Sequence, residues 1–133
     1  MLAASLPGAA PTAELTVVMD SLRNSRGKLG ICITSAAANF PDCKDDGSAI
    51  WRWTDASAPV LRVAGLPHGD YAISVIHDEN DNRKLDTFVG IPREGFGFSS
   101  NPKIGFGPPK FTAARFVIDG SGARQQVRMR YMF

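Results

Sequence analysis

Apolar and polar positions alternate with a period of two along most of this chain, which is the pattern of strands whose two faces meet different surroundings. From Glu14 to Asp20, Leu15, Val17 and Met19 share one face, and Thr16, Val18 and Asp20 share the other. Lys28 to Ser35 sets Leu29, Ile31 and Ile33 against Gly30, Cys32 and Thr34. Between these runs Asn24-Ser25-Arg26-Gly27 has turn composition, so the pair reads as a hairpin. Shorter strands are expected at Ala49 to Thr54 and, behind Pro59, at Val60 to Ala64. After a turn over Gly65 to Asp70, the residues Tyr71, Ile73, Val75 and His77 alternate with Ala72, Ser74 and Ile76. Both faces of that strand are mostly apolar or small, which puts it in the middle of a sheet. A strand at Ala113 to Asp119, a turn at Gly120 to Gly122 and a long strand at Ala123 to Phe133 close the chain. In the last of these, Arg128 and Arg130 fall on a solvated face.

Two stretches have no period. Ala36 to Ser48 holds Pro41, Asp45, Asp46 and Gly47 and reads as a loop, with Phe40 as a plug over one end of the core. Thr87 to Thr112 carries Gly90, Gly95, Gly97, Gly105 and Gly107 together with Pro92, Pro102, Pro108 and Pro109. It reads as one long loop, and a connection of that length is usually functional or disordered. Its phenylalanines (Phe88, Phe96, Phe98, Phe106 and Phe111) favour order, because disordered segments are poor in such side chains.

Composition narrows the picture. A chain of 133 residues fits one core, and its 13 glycines and 9 prolines interrupt it too often for long helices. A formal net charge of +2, with the basic residues scattered, argues against nucleic acid as a partner. No apolar run approaches the roughly 20 residues of a spanning helix. Residues 1–13 are uncharged, small and apolar, and read as a residual leader or flexible segment ahead of a domain at 14–133; any signal peptide is removed or truncated. Cys32 and Cys43, eleven positions apart, are either two buried thiols or one disulfide formed in an oxidising compartment. The disulfide is the preferred reading.

Val63-Ala-Gly-Leu-Pro-His-Gly-Asp-Tyr71 and the strand behind it are similar to the turn and strand of prealbumin-like β-sandwiches. The continuation resembles the bacterial DUF2141 family: His77-Asp-Glu-Asn80 through Asn82, Lys84 and Asp86, then Gly90-Ile-Pro92, Glu94-Gly95, Gly97-Phe-Ser99, and Phe106 to Phe111. That resemblance spans Glu14 to Phe133 and implies an all-β fold, a single immunoglobulin-like or prealbumin-like sandwich of about seven strands. It further implies export to the periplasm or beyond, and no assigned activity. Arg83 stands where the family pattern usually has glycine, so a positive φ is expected at Asn82 or at Arg83 itself.

Asp78, Asn80, Asn82 and Asp86 fall at positions 1, 3, 5 and 9 of a calcium-loop order, with the Lys84 carbonyl at position 7. Arg83 at position 6 and Val89 at position 12 depart from that order and exclude an EF-hand. A looser calcium loop, completed by Glu79, Asp81 or Glu94, stands against a plain Asx-rich turn. The first functional expectation is a noncatalytic binding or structural module for a small ligand, an ion or a protein. Its surface comprises the 77–86 and 87–112 segments, with His77, Glu79, Glu94 and Phe98 as ligand-binding side chains. A small hydrolase using His77 with nearby carboxylates is the alternative, with Ser99 and Ser100 as the nearest hydroxyls. A third reading is a glycan-binding module: Trp51 and Trp53 share a face, and sugar stacking requires both rings exposed and coplanar.

Overall fold

A computed structural model describes residues 11–43, 47–82, 87–88, 91–92, 94–105 and 107–132. The strands are β1 (Thr12–Asp20), β2 (Lys28–Thr34), β3 (Ile50–Asp55), β4 (Val60–Pro67), β5 (Gly69–Asp78), β6 (Thr87–Phe88), β7 (Ile91–Pro92), β8 (Gly95–Phe98), β9 (Phe116–Ile118) and β10 (Ala123–Arg128). A 3-10 turn at Ala37–Asn39 and one helical turn, α1 (Phe111–Ala114), are the only helical pieces among the described residues.

Two sheets form a sandwich. One has the order β10-β1-β4, and the other β3-β2-β5-β8 with β9 also paired to β5. Alternation along β1 turns Leu15, Val17 and Met19 inward, where they join Val63 and Leu66 of β4 and Val127 of β10. Across the interface lie Leu29, Ile31 and Ile33 of β2 and Tyr71, Ile73 and Val75 of β5. Each large side chain buried here contributes about 1.5–3 kcal/mol relative to an exposed one. β5 is central as expected, paired to β2 on one side and to β8 and β9 on the other.

Three expectations change. β1 and β2 do not form a hairpin, because β1 pairs with β10 and β4 while β2 pairs with β3 and β5. Both strands have one strongly apolar face, and placing them in opposing sheets lets those faces meet; residues 21–27 therefore cross the end of the sandwich. The 87–112 stretch is not one loop: it holds the β6-β7 pair, β8 in the main sheet and α1. Finally, Phe40 packs edge-on against Phe98 and Phe111 on the outer face of the five-stranded sheet instead of plugging the core. The Cys32–Cys43 disulfide fastens its loop to that face.

The Gly65 to Tyr71 segment has a mechanical explanation. Between Leu15↔Val63 and Ala13↔Leu66 the register slips by one residue, and Gly65 takes φ +75° within that bulge. Two residues further on, the Pro67 carbonyl accepts the Tyr71 hydroxyl at 2.7 Å, which ties the end of β4 to the start of β5.

Candidate functional site

The oxygen-rich segment begins where β5 ends, and the register of its neighbours determines what surrounds it. On the inward face His77 lies opposite Leu29 of β2 and Gly95 of β8. Beyond β8, Phe96 and Arg130 exchange backbone hydrogen bonds of 3.0 and 2.8 Å, so the chain after β10 runs alongside as a further partner. Gly95 is thereby flanked by His77 and Tyr131. A Cβ on Gly95 would sit 2.3 Å from the Tyr131 ring; with hydrogen there instead, the tyrosine reaches across the strand to the histidine.

His77 is completely buried. Its Nδ1 lies 2.7 Å from the Tyr131 hydroxyl and its Nε2 2.7 Å from the Arg26 carbonyl. A carbonyl can only accept, so Nε2 carries a proton, and in the neutral ring Nδ1 accepts from the tyrosine. Both ring nitrogens are used. Burial pushes the Tyr131 hydroxyl above its ordinary pKa; a hydrogen bond with the Arg23 backbone opposes this, the Glu79 charge adds to it, and the Arg23 charge opposes it least. Arg23 also stacks over the Tyr131 ring, 4.5 Å from its centroid.

Glu79 is held from the other side. Its Oε1 accepts from Arg23 Nε at 2.9 Å and from the same guanidinium at 2.6 Å, while Oε2 accepts from Asn24 at 2.9 Å and Arg26 at 3.4 Å. Burial works to raise the carboxyl, but the bonds from Asn24 and Arg23 and the charge of Arg23 outweigh it and hold Glu79 below its usual range. The 21–27 connection thus supplies four donors to one carboxylate and one acceptor to one imidazole. Gly27 lets it approach: φ is +70°, and a Cβ would lie 2.0 Å from the Asp78 carbonyl oxygen.

Asp78 is buried, and its Oδ1 accepts the Asn82 N–H at 3.0 Å while its carbonyl accepts the Asp81 N–H at 3.2 Å. This is the Asx-rich turn. The positive φ falls on Asp81, at +55°, and not on Asn82; Arg83 lies outside the described residues. Asn80 and Asn82 are exposed. Lys84 and Asp86, the remaining calcium-loop positions, also lie outside the described residues. Glu94 is buried and accepts the Glu79 N–H at 2.6 Å, which fastens the start of β8 to the turn. No group of three or more metal-ligating His, Cys, Asp or Glu side chains occurs among the described residues.

The structure therefore brings His77, Glu79 and Glu94 together around one chain crossing. Phe98 faces outward with Phe40 and Phe96. Ser99 is buried four residues along β5 from His77, about 13 Å at strand spacing; its hydroxyl accepts from the Ile73 N–H and donates to the Ala114 carbonyl. Ser100 donates to the Arg115 carbonyl. A hydroxyl and a base within reach of one substrate are not assembled from these residues. Arg23, Asn24, Arg26 and Tyr131 are site residues that sequence reasoning missed, and the period-two Gly95-Phe96-Gly97-Phe98 was the available signal.

The outer face of the five-stranded sheet is aromatic. Beside Phe98, Phe40 and Phe111, a groove of about 440 Å³ opens between Phe40, Pro41, Pro108, Pro109, Lys110 and Phe111. At the sheet edge Trp51 and Trp53 lie with planes 14° apart and centroids separated by 6.4 Å. Trp51 is 41% exposed. Trp53 is half-buried against Gly30, where a Cβ would meet its ring at 2.7 Å.

No curated protein and no solved structure matches the chain. A family model matches residues 17–126, from within β1 to within β10, and so takes in both sheets and the His77 to Glu94 crossing. The chain belongs to the family described as an uncharacterized protein conserved in bacteria, DUF2141.

Proposed function

We propose that this chain is a noncatalytic, extracytoplasmic sandwich module that binds its ligand on the outer aromatic face, in the groove formed by the 37–41 and 108–112 segments. The observation that carries this reading is the groove itself. A shallow, largely apolar groove with Lys110 among its lining residues suits an amphiphilic small molecule or peptide with an anionic end. Phe40, Phe98 and Phe111 brace its floor through edge-on contacts, and the disulfide holds the loop bearing Phe40. That disulfide also supports export, since such bonds persist in oxidising compartments. The two-layer all-β architecture is compatible with an immunoglobulin-like or prealbumin-like assignment.

The segment at 77–82 has a supporting role in this reading. His77 and Glu79 hold the 21–27 crossing and Glu94 fastens β8 to the turn, which supports a structural use of these three side chains. A thermal-shift screen of aromatic and aliphatic carboxylates tests the proposal. Ligands that raise Tm for the native protein should lose that effect in Phe111→Ala and weaken in Lys110→Gln, while Tyr131→Phe retains it. A ligand response unaffected by Phe111→Ala and abolished by Tyr131→Phe would overturn the assignment of the groove.

A further inference from the structure

We infer that the outer face of the three-stranded sheet carries a separate ligand site, an arginine clamp of Arg62 and Arg124 for the phosphate of a phosphorylated polyol; it stands on a different sheet from the aromatic groove and does not depend on it. Because Leu15, Val17 and Met19 turn into the core, Thr16 between them points outward. Thr16 lies opposite Arg62 of β4 on one side and opposite Arg124 of β10 on the other. One row across the sheet therefore reads Arg62, Thr16, Arg124, with the two arginine Cα atoms about 10 Å apart at the usual strand spacing. Both arginines are exposed, and among the described residues neither guanidinium has a hydrogen bond or an ion pair.

A groove of about 470 Å³ opens beside this row, between Ala13, Glu14 and Thr16 of β1 and residues 120–124. Thr16 and Arg124 belong to both the row and the groove, so the two are continuous. The turn that walls the groove is seated on β1 by a glycine: Gly122 takes φ +80°, and a Cβ there would lie 2.8 Å from the Glu14 carbonyl oxygen. The turn is also tied internally. The Asp119 carbonyl accepts the Gly122 N–H at 2.9 Å, and its Oδ1 accepts the Ser121 N–H and hydroxyl at 3.0 and 2.6 Å. Of the two carboxylates that β1 adds to this face, Asp20 accepts from Gln126 and Ser21, whereas Glu14 has no such donor among the described residues and lines the groove.

Two guanidiniums without a counter-charge select an anion, and their planar forks match phosphate oxygens in pairs. A phosphomonoester, close to dianionic at neutral pH, balances both at once, which one carboxylate does not. The Thr16 hydroxyl between them supplies a further donor at the floor. Glu14 decides what the phosphate carries. A carboxylate in the groove repels a second anion and accepts from hydroxyls, and Ser121, whose own proton goes to Asp119, has an oxygen to accept another. The remainder of the ligand is therefore neutral and hydroxylated, and the groove is of a size that takes a small molecule such as a hexose phosphate. Arg128 lies on the same face, four positions along β10 and about 13 Å from Arg124, away from the groove.

Calorimetric titration with glucose 6-phosphate, glucose and inorganic phosphate, at one ionic strength near 0.15 M, tests the site. Glucose 6-phosphate should bind with a dissociation constant below about 1 mM and at least about tenfold tighter than inorganic phosphate, while glucose gives no heat. Arg62→Gln and Arg124→Gln should each weaken it at least about tenfold; Arg128→Gln, which removes the same charge from the same face, should not. Glu14→Gln should narrow the preference over inorganic phosphate, and an unchanged preference would overturn the polyol part. All four residues are exposed, so Tm should stay near that of the native protein and a lost heat is a lost site. No heat up to about 10 mM glucose 6-phosphate would overturn the clamp, whatever the carboxylate screen of the aromatic groove returns. Equal losses in Arg124→Gln and Arg128→Gln would overturn it as well, since they mark a general attraction to cations. Binding to phosphatidylglycerol vesicles with none to glucose 6-phosphate would overturn it in favour of a membrane surface.

Discussion

Replacing Tyr131 with phenylalanine removes one hydroxyl from the chain crossing, and with it the hydrogen bonds with His77 and with the Arg23 backbone. The ring is retained, and with it the packing over Gly95, the edge contact with His77 and the stack under Arg23; only the hydroxyl 2.7 Å from His77 Nδ1 is removed. The imidazole cannot adapt by moving its proton. Nε2–H is committed to the Arg26 carbonyl, and a proton on Nδ1 would leave that carbonyl facing a lone pair. His77 is completely buried, so water does not replace the lost donor without opening the end of the sandwich. Leaving a buried acceptor unsatisfied costs about 1–3 kcal/mol. For a domain of this size each kcal/mol lowers Tm by roughly 3–5 °C, so the variant should melt roughly 3–15 °C below the native protein, with an unchanged urea m-value. Thermal and urea unfolding followed by circular dichroism measure this directly. A change under about 0.5 kcal/mol, the usual range for a surface substitution, would refute the reasoning.

Other consequences follow from the same contacts. Glu79 has its folded pKa depressed, so the stability it contributes is present above its unfolded value, about 4.3, and disappears as pH falls through the folded value. Glu79→Gln should therefore lower the urea midpoint at neutral pH and flatten the acid limb of the stability profile; parallel acid limbs would contradict this. Gly95→Ala should cost about 1–3 kcal/mol through overpacking, because its Cβ meets the Tyr131 ring at 2.3 Å, and calorimetry checks it. Removing the disulfide with Cys32→Ser and Cys43→Ser should cost about 3 kcal/mol by loop-closure entropy and free the Phe40 loop, visible as lost protection in hydrogen exchange. Calcium at about 1 mM should leave Tm unchanged, whereas a site with a dissociation constant near 10 μM would add about 2.7 kcal/mol.

Much of the fold was legible because burial and period coincide. Leu15, Val17 and Met19, the Leu29 to Ile33 set, and Tyr71 to His77 declared their faces in the sequence and take them in the structure. What stayed hidden has a common cause. Gly95 and Gly97 read as loop residues, yet they are the inward positions of a strand whose side-chain space is filled by Tyr131, Val127 and Met129 from another segment. Local pattern records what a residue brings and omits what a neighbour brings to it. The failed hairpin has the same origin: a turn at Asn24 to Gly27 joins two strands but does not say whether they pair or face each other across a core.

The oxygen-rich segment was visible as a cluster, while its partners were not. Arg23, Asn24 and Arg26 lie more than fifty positions upstream of Glu79, and Tyr131 lies 54 positions beyond His77. Polar residues at such separation have no periodic signature, so the sequence did not show that two guanidiniums pair Glu79. Trp51 and Trp53 were readable as a same-face pair; their near-parallel planes depend on Gly30 in the adjacent strand.

His77, bonded through both ring nitrogens, is a fixed pin of the chain crossing. A long-range proton–nitrogen correlation spectrum of the imidazoles tests it most directly, with exposed His68 as the internal reference because the chain has only two histidines. His77 should show a single tautomer protonated at Nε2, with Nδ1 showing the shift of a hydrogen-bonded acceptor that changes in Tyr131→Phe. An Nδ1-protonated ring, or one exchanging tautomers as freely as His68, would contradict it.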